Sequence, residues 1–310
     1  MKKRVGIIGA SSICEKYLHV LKALDDVSVN AITSRTMYKA RRMSIEYGIK
    51  NVYKNYYEMI TSENLDLIII LVSPDQTFKV TQNLAKFGIT LLIEKPPGLN
   101  VNQSLKLVQL SKKFNTKIFV SLNRRFFSNF KKGMKMARDH GGIKNIIIEG
   151  HERFWKIKNK SDKVLRNWIY ANSIHTIDLL RHFGGDIKAV KKLMKSNFEK
   201  NGDEFLSLIE FKNGIIGSYF SNWYSPGGWS VKLYCNGLTI VFDPLEEGYY
   251  MKKNMIKKPI TIDKFDIKFK PGLYKLINSV INYLNTKKIN PNLQTINSAH
   301  ESMKLISLIK

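Results

Sequence analysis

Short apolar runs alternate with amphipathic segments between residues 3 and 122, and this alternation constrains the fold more than any other feature of the chain. The predicted strands are Arg4–Ile8, Val27–Thr33, Leu67–Val72, Ile89–Ile93 and Lys117–Ser121. The predicted helices are Ile13–Leu24, Met37–Tyr47, Gln76–Phe87 and Val101–Phe114, each with apolar residues three and four positions apart. Since parallel strands need crossover connections, which these helices supply, the region predicts a doubly wound parallel sheet of the α/β class.

The pattern changes after Asn123. The predicted elements are helices at Phe130–His140 and Ser173–Phe183, a strand at Asn145–Glu149, antiparallel strands at Phe205–Phe211, Ile215–Asn222, Ser230–Cys235 and Leu238–Phe242, and terminal helices at Gly272–Leu284 and Leu293–Leu308. Lys212-Asn213-Gly214 and Asn236-Gly237 predict hairpin turns, since Gly and Asn tolerate a positive φ. We therefore expect two domains, residues 1–122 and residues 123–310, the second with antiparallel strands and helices.

Composition narrows the class of protein. A hydrophobic content of 44% in 310 residues is that of a globular chain, and the two cysteines are far apart, which favours a reducing, cytoplasmic location. The longest apolar run, residues 65–72, is too short to cross a bilayer, so no membrane insertion is expected. The net charge of +26 fits anionic partners or the bias of a lysine-rich proteome. Because no nucleic-acid motif is present, no specific nucleic acid is expected as a partner.

The first strand runs into Gly9-Ala10-Ser11-Ser12-Ile13-Cys14, the position of a dinucleotide-binding turn. Only the first glycine of G-x-G-x-x-G is kept, because Ser11 and Cys14 occupy the other two positions. Both replacements are small, so the turn could still present amide groups and a helix N-terminus to phosphate.

The second strand ends in Thr33-Ser34-Arg35, about where an acidic residue would bind the ribose of NAD. A hydroxyl followed by Arg suits a 2′-phosphate, which predicts a preference for NADP(H) over NAD(H). The alternative is an ordinary helix cap with a solvated arginine.

A later apolar run ends abruptly in Glu94-Lys95-Pro96. Ligands bind at the carboxyl ends of parallel strands, so Lys95 is placed where chemistry could use it. The alternative is one more solvated lysine in a lysine-rich chain.

Together these motifs resemble those of the glucose-fructose oxidoreductase and inositol dehydrogenase family (Gfo/Idh/MocA). The resemblance rests on Gly9, Ser73-Pro74-Asp75, Glu94-Lys95-Pro96, Asn123-Arg124-Arg125-Phe126, and His175 with Asp178 before Gly184-Gly185. It implies a Rossmann domain that binds NAD(P) and a carboxyl-terminal α+β domain with an open antiparallel sheet. It also implies an enzyme that interconverts a hydroxyl and a ketone on a sugar, polyol or nucleotide-sugar. It also implies a homo-oligomer, a dimer or tetramer, since the second domain of the family often forms oligomer contacts.

The resemblance assigns catalytic roles to Lys95 and His175. A histidine titrates in the range needed to move a proton on or off the carbinol oxygen, and an ammonium stabilises a developing alkoxide. The implied cofactor-binding residues are Gly9, Ala10, Ser11, Ser12, Ile13, Ser34, Arg35, Ser73, Pro74, Glu94 and Lys95. The implied substrate-binding residues are Asn123, Arg124, Trp155, Asn172 and Asp178.

The chain departs from the family at three places. Ala171 stands where an aspartate commonly precedes the histidine, Phe78 stands where a second histidine is common, and the glycine turn is degraded. Asn172 or Asp178 could compensate for the lost carboxylate, or Asp178 could only orient its helix. A different substrate class or a non-catalytic member of the fold are therefore the alternatives.

Two further patterns lie in the second half of the chain. His175, Asp178 and His182 share one helix face, but with no further acidic or sulfur ligand we expect no metal site. The segment from His151 to Trp168 mixes aromatic residues with Lys156, Lys158, Lys160, Lys163 and Arg166. Aromatic faces suit sugar rings and lysines suit phosphates, so the segment fits a nucleotide-linked or phosphorylated sugar or, alternatively, a solvated surface excursion.

Overall fold

The computed structural model describes residues 1–157 and 160–310. They form two compact units: unit 1 contains Met1–Asn123 and Lys268–His300, and unit 2 contains Arg124–Ile267 and Glu301–Lys310. Residues 268–300 are thus part of unit 1, where residues 294 and 295 pair with residues 120 and 119.

The strands in chain order are β1 (Lys3–Ile8), β2 (Val27–Thr33), β3 (Asn51–Tyr53), β4 (Leu67–Ile70), β5 (Thr90–Glu94), β6 (Ile118–Ser121), β7 (Ile143–Gly150), β8 (Ile187–Lys195), β9 (Glu204–Phe211), β10 (Ile216–Asn222), β11 (Trp229–Cys235), β12 (Leu238–Phe242), β13 (Tyr249–Lys252), β14 (Lys258–Pro259) and β15 (Gln294–Thr295). The α-helices are α1 (Ser12–Lys22), α2 (Met37–Tyr47), α3 (Tyr56–Ser62), α4 (Pro74–Leu84), α5 (Val101–Lys113), α6 (Ser128–Asp139), α7 (Asp162–Leu165), α8 (Ile174–Gly184), α9 (Lys264–Lys268), α10 (Leu273–Thr286) and α11 (Ile296–Ile309).

Unit 1 is built on a mostly parallel sheet with the strand order β15-β6-β5-β4-β1-β2-β3. Only β15 runs antiparallel to its neighbour, β6. The four residues of β4 are all buried, as expected for a strand covered by helices on both faces. On one of those faces α1 packs against α10. The predicted α/β Rossmann class is confirmed.

Unit 2 is built on a mostly antiparallel sheet with the strand order β14-β13-β12-β11-β7-β10-β9-β8. The one parallel pair in it is β7 with β10. Side chains of β9 alternate between buried and exposed, which is typical of a sheet with one covered face. Helix α8 covers β7 and β10. The predicted α+β class with an open antiparallel sheet is confirmed.

Both predicted hairpins are present. Gly214 lies between β9 and β10 with φ +83°, and Gly237 lies between β11 and β12 with φ +65°. A side chain at either position would strain the backbone, so the glycine fixes where each strand reverses. Within residues 1–157 and 160–310, none of the helices is long and apolar enough to cross a membrane.

Candidate functional site

Unit 1 contains a cavity of about 460 Å³ at the carboxyl ends of β1, β2 and β4. This is the edge of a parallel sheet at which ligands bind in doubly wound folds. Its wall is formed by Ile8, Gly9, Ala10, Ser11, Thr33, Ser34, Arg35, Thr36, Lys39, Lys54, Asn55, Tyr56, Leu71, Val72, Ser73, Gln76, Lys79 and Val80. We call it the unit 1 cavity.

Gly9 follows β1 and lines the unit 1 cavity. Its φ is +111°, and its amide donates to the Thr33 carbonyl over 2.8 Å. A Cβ at this position would lie 2.3 Å from the Leu71 carbonyl oxygen. Glycine is therefore required both by backbone conformation and by the closeness of the chain that follows β4.

Helix α1 starts at the cavity, with Ser11 as its extended N-cap residue. Ser11 and Ser12 are exposed, whereas Cys14 is fully buried and its amide donates to the Ser11 carbonyl. Burial, and then the nearby Glu15 charge, raise the pKa of the Cys14 thiol to about 12. Cys14 therefore packs as a small neutral side chain, the packing role that a glycine would have at this position.

The far wall of the unit 1 cavity is basic. Arg35, Lys39, Lys54 and Lys79 all line it, and among the wall residues that the structure describes there is no aspartate or glutamate. The Ser34 hydroxyl accepts from the Thr36 amide over 3.3 Å. This wall can bind an anionic group and presents no carboxylate to repel one.

Ser73 also lines the cavity, as the N-cap of α4, with Pro74 as the first helical residue. The predicted cofactor residues that the structure brings together at the cavity are Gly9, Ala10, Ser11, Ser34, Arg35 and Ser73. Those that lie outside its described wall are Ser12, Ile13, Pro74, Glu94 and Lys95.

Glu94 is the last residue of β5, and Lys95 follows it. The Tyr17 hydroxyl lies 2.7 Å from Glu94 Oε1 and 2.5 Å from Ser121 Oγ. Burial, and then the Glu94 charge, raise the pKa of Tyr17, so its hydroxyl stays protonated. This network holds the end of β5 and the half-buried Lys95 next to it. Pro96, which follows through a cis peptide bond, is buried.

In unit 2, His175 lies in the first turn of α8, directly after a π-helical turn at Ile169–Ser173. It is 6% exposed, and its ring centroid lies 5.9 Å from that of Trp229. The Arg124 guanidinium stacks over the Trp229 ring at 4.5 Å. The three side chains form one cluster, in which Trp229 was not predicted from the sequence.

Unit 2 has its own cavity of about 410 Å³, which we call the unit 2 cavity. Its wall is formed by His151, Glu152, Arg153, Lys156, Ile157, Trp168, Asn172, Gly227, Gly228, Trp229, Pro244, Leu245 and Glu246. Glu152 is 4% exposed and accepts from Asn172 Nδ2 and Ser173 Oγ, each over 2.8 Å. The buried carboxylate thus ties the loop after β7 to the turn before α8.

Asp178 lies elsewhere, in a buried ion pair. Arg125 donates to it through Nε over 2.6 Å and through a terminal nitrogen over 2.9 Å, and Ser302 Oγ donates over 2.6 Å. Burial alone would raise the pKa of Asp178, but the Arg125 charge and these hydrogen bonds hold it below its ordinary value. Asp178 does not line the unit 2 cavity, so its geometry is that of a residue that anchors α8.

The remaining predicted substrate-binding residues are Asn172, Trp155 and Asn123, and the structure does not bring all three to one cavity. Asn172 lines the unit 2 cavity, whereas Trp155, 38% exposed, lies outside its described wall. Asn123 belongs to unit 1 and donates from Nδ2 to the Pro271 carbonyl over 2.8 Å. Of the basic segment, Lys156 lines the cavity, and Lys158 lies outside the described residues.

Within the described parts of the chain, no group of three or more His, Cys, Asp or Glu side chains is placed to hold a metal ion. His182, on the same face of α8 as His175, packs against Phe183 and Phe130. Burial, and then the Arg125 charge, lower the pKa of His182 to about 3. His182 is therefore a neutral packing residue.

Sequence reasoning missed Glu152 and Trp229 as cavity residues. Glu152 and Trp168 both belong to the segment from His151 to Trp168, which the sequence singled out for its mixed aromatic and basic character, and Trp168 is one of its aromatic residues. Trp229 carries no such signal, because it reaches the cavity only through the pairing of β11 with β7.

Comparison with known proteins identifies relatives of the chain. Residues 3–122 match the profile of an oxidoreductase family with an NAD-binding Rossmann fold, and residues 151–241 match the GFO/IDH/MocA C-terminal domain. The chain is similar to myo-inositol 2-dehydrogenase of Thermotoga maritima, with 26% identity over 229 residues, 69% of this chain and 66% of the relative. It is also similar to a scyllo-inositol 2-dehydrogenase (NADP(+)) of Bacillus subtilis, with 22% identity over 72% of each chain. The aligned part of the chain thus spans slightly less than two thirds of the first of these relatives.

A structural relative is UDP-N-acetylglucosamine 3-dehydrogenase of Acidithiobacillus ferrooxidans, with a TM-score of 0.81 over 100% of this chain and 97% of that chain. At 13% identity this likeness concerns the fold alone. The two matched profiles follow one another along the chain in the same order as the two sheets, which confirms the family predicted from the sequence motifs. The chain belongs to the GFO/IDH/MocA family, an oxidoreductase family with an NAD-binding Rossmann fold.

Proposed function

We propose that the protein is an oxidoreductase that prefers NADP(H) and interconverts a hydroxyl and a ketone on a sugar, polyol or nucleotide-sugar. The observation that carries this proposal is the unit 1 cavity, which joins a glycine turn and a helix N-terminus to a basic wall without a described carboxylate. An adenosine 2′-phosphate suits such a wall, whereas the ribose hydroxyls of NAD are usually held by an acid.

The residues of the cavity fit a dinucleotide. Gly9 lets the turn after β1 pass close to the chain that follows β4, because a Cβ there would lie 2.3 Å from the Leu71 carbonyl oxygen. The start of α1 supplies amide donors and a favourable dipole for a pyrophosphate. Ser34 and Arg35 would hold the 2′-phosphate. When bound, the nicotinamide group supplies the hydride acceptor or donor.

We propose that Lys95 and His175 are the catalytic residues. The ammonium of Lys95 would stabilise negative charge on the carbinol oxygen. The imidazole of His175 would carry the proton that leaves or joins that oxygen. For the substrate-binding residues, we retain Asn172 and Arg124 and assign Asp178 to the support of α8.

The substrate class is proposed from the relatives and from the unit 2 cavity. The relatives are named for inositols and for a UDP-sugar. Trp168, Trp229 and Asn172 line the unit 2 cavity, and a wall of this composition suits a ring that carries hydroxyl groups.

The first experiment is a titration of the purified protein with NADPH and with NADH, followed by nicotinamide fluorescence. We expect tighter binding of NADPH. The Arg35→Ala substitution should weaken NADPH binding by about 10- to 100-fold, since a charged hydrogen bond to phosphate is worth about 1.5–3 kcal/mol, and should leave NADH binding nearly unchanged. Arg41→Ala is the matched control, because Arg41 is an exposed arginine of α2 outside the described cavity wall.

Equal affinity for both nucleotides would contradict the proposed NADP(H) preference. Binding of neither would favour the alternative that the chain is a non-catalytic member of the family, with the cofactor turn disabled by Ser11 and Cys14. Oxidation of a panel of inositols, sugars and nucleotide-sugars with NADP⁺ would then decide between enzyme and non-enzyme.

We also propose a cytoplasmic homo-oligomer, a dimer or tetramer. The outer face of β8, β9 and β10 exposes Leu193, Leu206, Leu208 and Ile216, each at least 42% accessible. A row of exposed leucine and isoleucine side chains on adjacent strands marks an association surface. Sedimentation equilibrium of the full chain would give a monomer mass if this proposal is wrong.

A further inference from the structure

The hairpin of β13 and β14 ends in a run of exposed residues. Every residue from 252 to 258 is exposed, and we call this run the hairpin tip. At the base of the hairpin, the Ile260 amide donates to the Gly248 carbonyl over 2.7 Å, and the Ile260 side chain is buried. The hairpin is therefore held at its base, and its tip faces solvent.

The hairpin tip combines positive charge with apolar surface. It contains four lysines, Lys252, Lys253, Lys257 and Lys258. No aspartate or glutamate occurs in the sequence from residue 248 to residue 262. Met255 and Ile256 lie between the two lysine pairs, and they are 70% and 57% exposed. Exposed apolar side chains inside a basic turn fit a partner that offers both negative charge and an apolar layer.

The backbone conformation of Met255 does not explain why a methionine stands there. Met255 has a φ of +60°, and its amide donates to the Lys252 carbonyl over 2.9 Å. At the turns before β10 and β12, positive φ values are taken by Gly214 and Gly237. A residue with a Cβ is strained in this conformation, so glycine would suit the turn better. The exposed methionine side chain is thus kept despite the turn, which points to a role in binding.

The size and composition of the tip favour a lipid surface over a protein or a nucleic acid. A specific protein interface takes about 20–30 residues on each side, whereas the tip spans only residues 252–258. Proteins that bind single-stranded nucleic acid stack aromatic or arginine side chains on the bases, and the tip contains neither type. An anionic bilayer needs no such groups, because lysines reach the lipid phosphates while apolar side chains enter the headgroup region.

We propose that the hairpin tip binds the surface of an anionic lipid bilayer. Met255 and Ile256 enter the headgroup region, and the four lysines lie against the lipid phosphates. The contact is peripheral, since only the tip takes part in it. The proposal is independent of the proposed function, because neither described cavity wall includes a residue of the tip. It gives part of the net charge of +26 a binding role.

Flotation of the full-length protein with lipid vesicles tests this proposal. The vesicles contain equal parts of phosphatidylglycerol and phosphatidylcholine, and vesicles of phosphatidylcholine alone are the control. We expect the protein to float with the mixed vesicles only. Raising NaCl from about 0.1 M to about 1 M should release it, because the Debye length falls from about 10 Å to about 3 Å.

The lysine variants test whether the charge of the tip itself is used. Lys253→Gln combined with Lys257→Gln should weaken vesicle binding about 30-fold, at about 1 kcal/mol for each lysine near an anionic surface. Lys106→Gln combined with Lys112→Gln is the matched control, since both lysines are exposed on α5. This control should bind within about twofold of the wild type, because charges beyond a Debye length from the lipid are largely screened.

The apolar variants test whether the tip enters the headgroup region. Met255→Ser combined with Ile256→Ser keeps all four lysines and should weaken vesicle binding at least about tenfold, since the apolar area is no longer removed from water. Ile45→Ser combined with Ile267→Ser is the control, because it removes two other exposed isoleucines. All four variants change exposed residues, so their urea midpoints should stay near that of the wild type.

Failure to float with the mixed vesicles, or equal binding to phosphatidylcholine alone, would overturn the proposal. Equal losses from the tip lysines and the α5 lysines would also overturn it, because net charge alone would then attract the protein. A loss with the tip lysines but none with Met255 and Ile256 would replace the lipid surface with a polyanion such as an acidic protein or a nucleic acid. None of these outcomes bears on NADPH binding, so the proposed function is tested separately.

Discussion

The two cavities of this protein are built in opposite ways. The wall of the unit 1 cavity comes from short segments that follow parallel strands, and its charged members are all cations. The unit 2 cavity draws its wall from loops far apart in sequence, and among the wall residues that the structure describes two cations face two carboxylates, one of them buried. The cationic side chains of the unit 1 cavity are thus available to bind a ligand. The buried charged side chains of unit 2 also stabilise the fold.

The prediction with the largest expected effect tests whether a charge in unit 1 serves catalysis. Lys95→Ala should lower kcat by about 10²- to 10⁴-fold, the range for loss of a positioned charged or proton-transferring group. The urea midpoint should barely change, because half-buried Lys95 lies at a strand end rather than in the core. Steady-state kinetics with a substrate that the wild type oxidises would measure the loss.

Lys112→Ala is the control for Lys95, since it removes an exposed lysine from the last turn of α5. It should keep wild-type turnover. Near-normal kcat for Lys95→Ala would refute the assignment of this lysine as a catalytic residue. A large fall in its stability would mean that unit 1 also uses its strand-end charge to hold the fold.

The second prediction tests the structural side of the comparison. Asp178→Asn leaves the Arg125 charge buried without its carboxylate partner, and should lower the free energy of unfolding by about 3–5 kcal/mol. The pair is 9% and 2% exposed at Arg125 and Asp178. Urea denaturation followed by circular dichroism measures the change.

The exposed pair of Lys188 and Glu210 provides the control for Asp178. Its nitrogen and oxygen are also 2.6 Å apart, but its side chains are 61% and 47% exposed. Glu210→Gln should therefore cost less than about 1 kcal/mol. If the two substitutions lower the free energy of unfolding equally, burial does not determine how much each ion pair contributes to stability. The statement that buried charge holds unit 2 together would then be wrong.

The sequence predicts unit 1 more completely than unit 2 because its signals are local. Strand β2 and helix α2 have the predicted bounds, Val27–Thr33 and Met37–Tyr47. Gly9, Ser34 and Arg35 reach the cavity because they directly follow buried strands. The strand β3 was missed, since three half-exposed edge residues carry no alternating pattern.

Unit 2 was harder to predict because its site depends on pairing between distant segments. Trp155 and Trp168 belong to one segment, and only the folded chain shows that Trp168 reaches the cavity. Strand β8 was missed because it is a lysine-rich, mostly exposed edge strand. Lysines on an edge strand discourage edge-to-edge pairing with another chain, and here they also hide the alternating strand pattern. The loss of an acid at Ala171 was visible in the sequence, but the buried carboxylate of Glu152 was not.

The smallest expected effect concerns pH and again separates the two units. The pKa of His182 falls from 6.5 to about 3 on folding, so between these values the unfolded chain binds a proton that the folded chain does not. Stability is therefore lost as pH falls below 6.5. Between pH 6.5 and 5 the loss should reach up to about 2 kcal/mol, at 1.36 kcal/mol per pH unit.

His182→Gln should remove this part of the acid sensitivity. Urea unfolding at pH 7.5, 6.5, 5.5 and 5 would compare the variant with the wild type, and the two curves should run parallel above pH 7 and converge below it. Parallel curves throughout would show that His182 takes up a proton in the folded protein. Since His182 packs against Phe130 and Phe183, such uptake would require the packing under α8 to open. The interior of unit 2 would then accept an additional charge, whereas the Asp178→Asn prediction requires that an unpaired charge in this interior is costly.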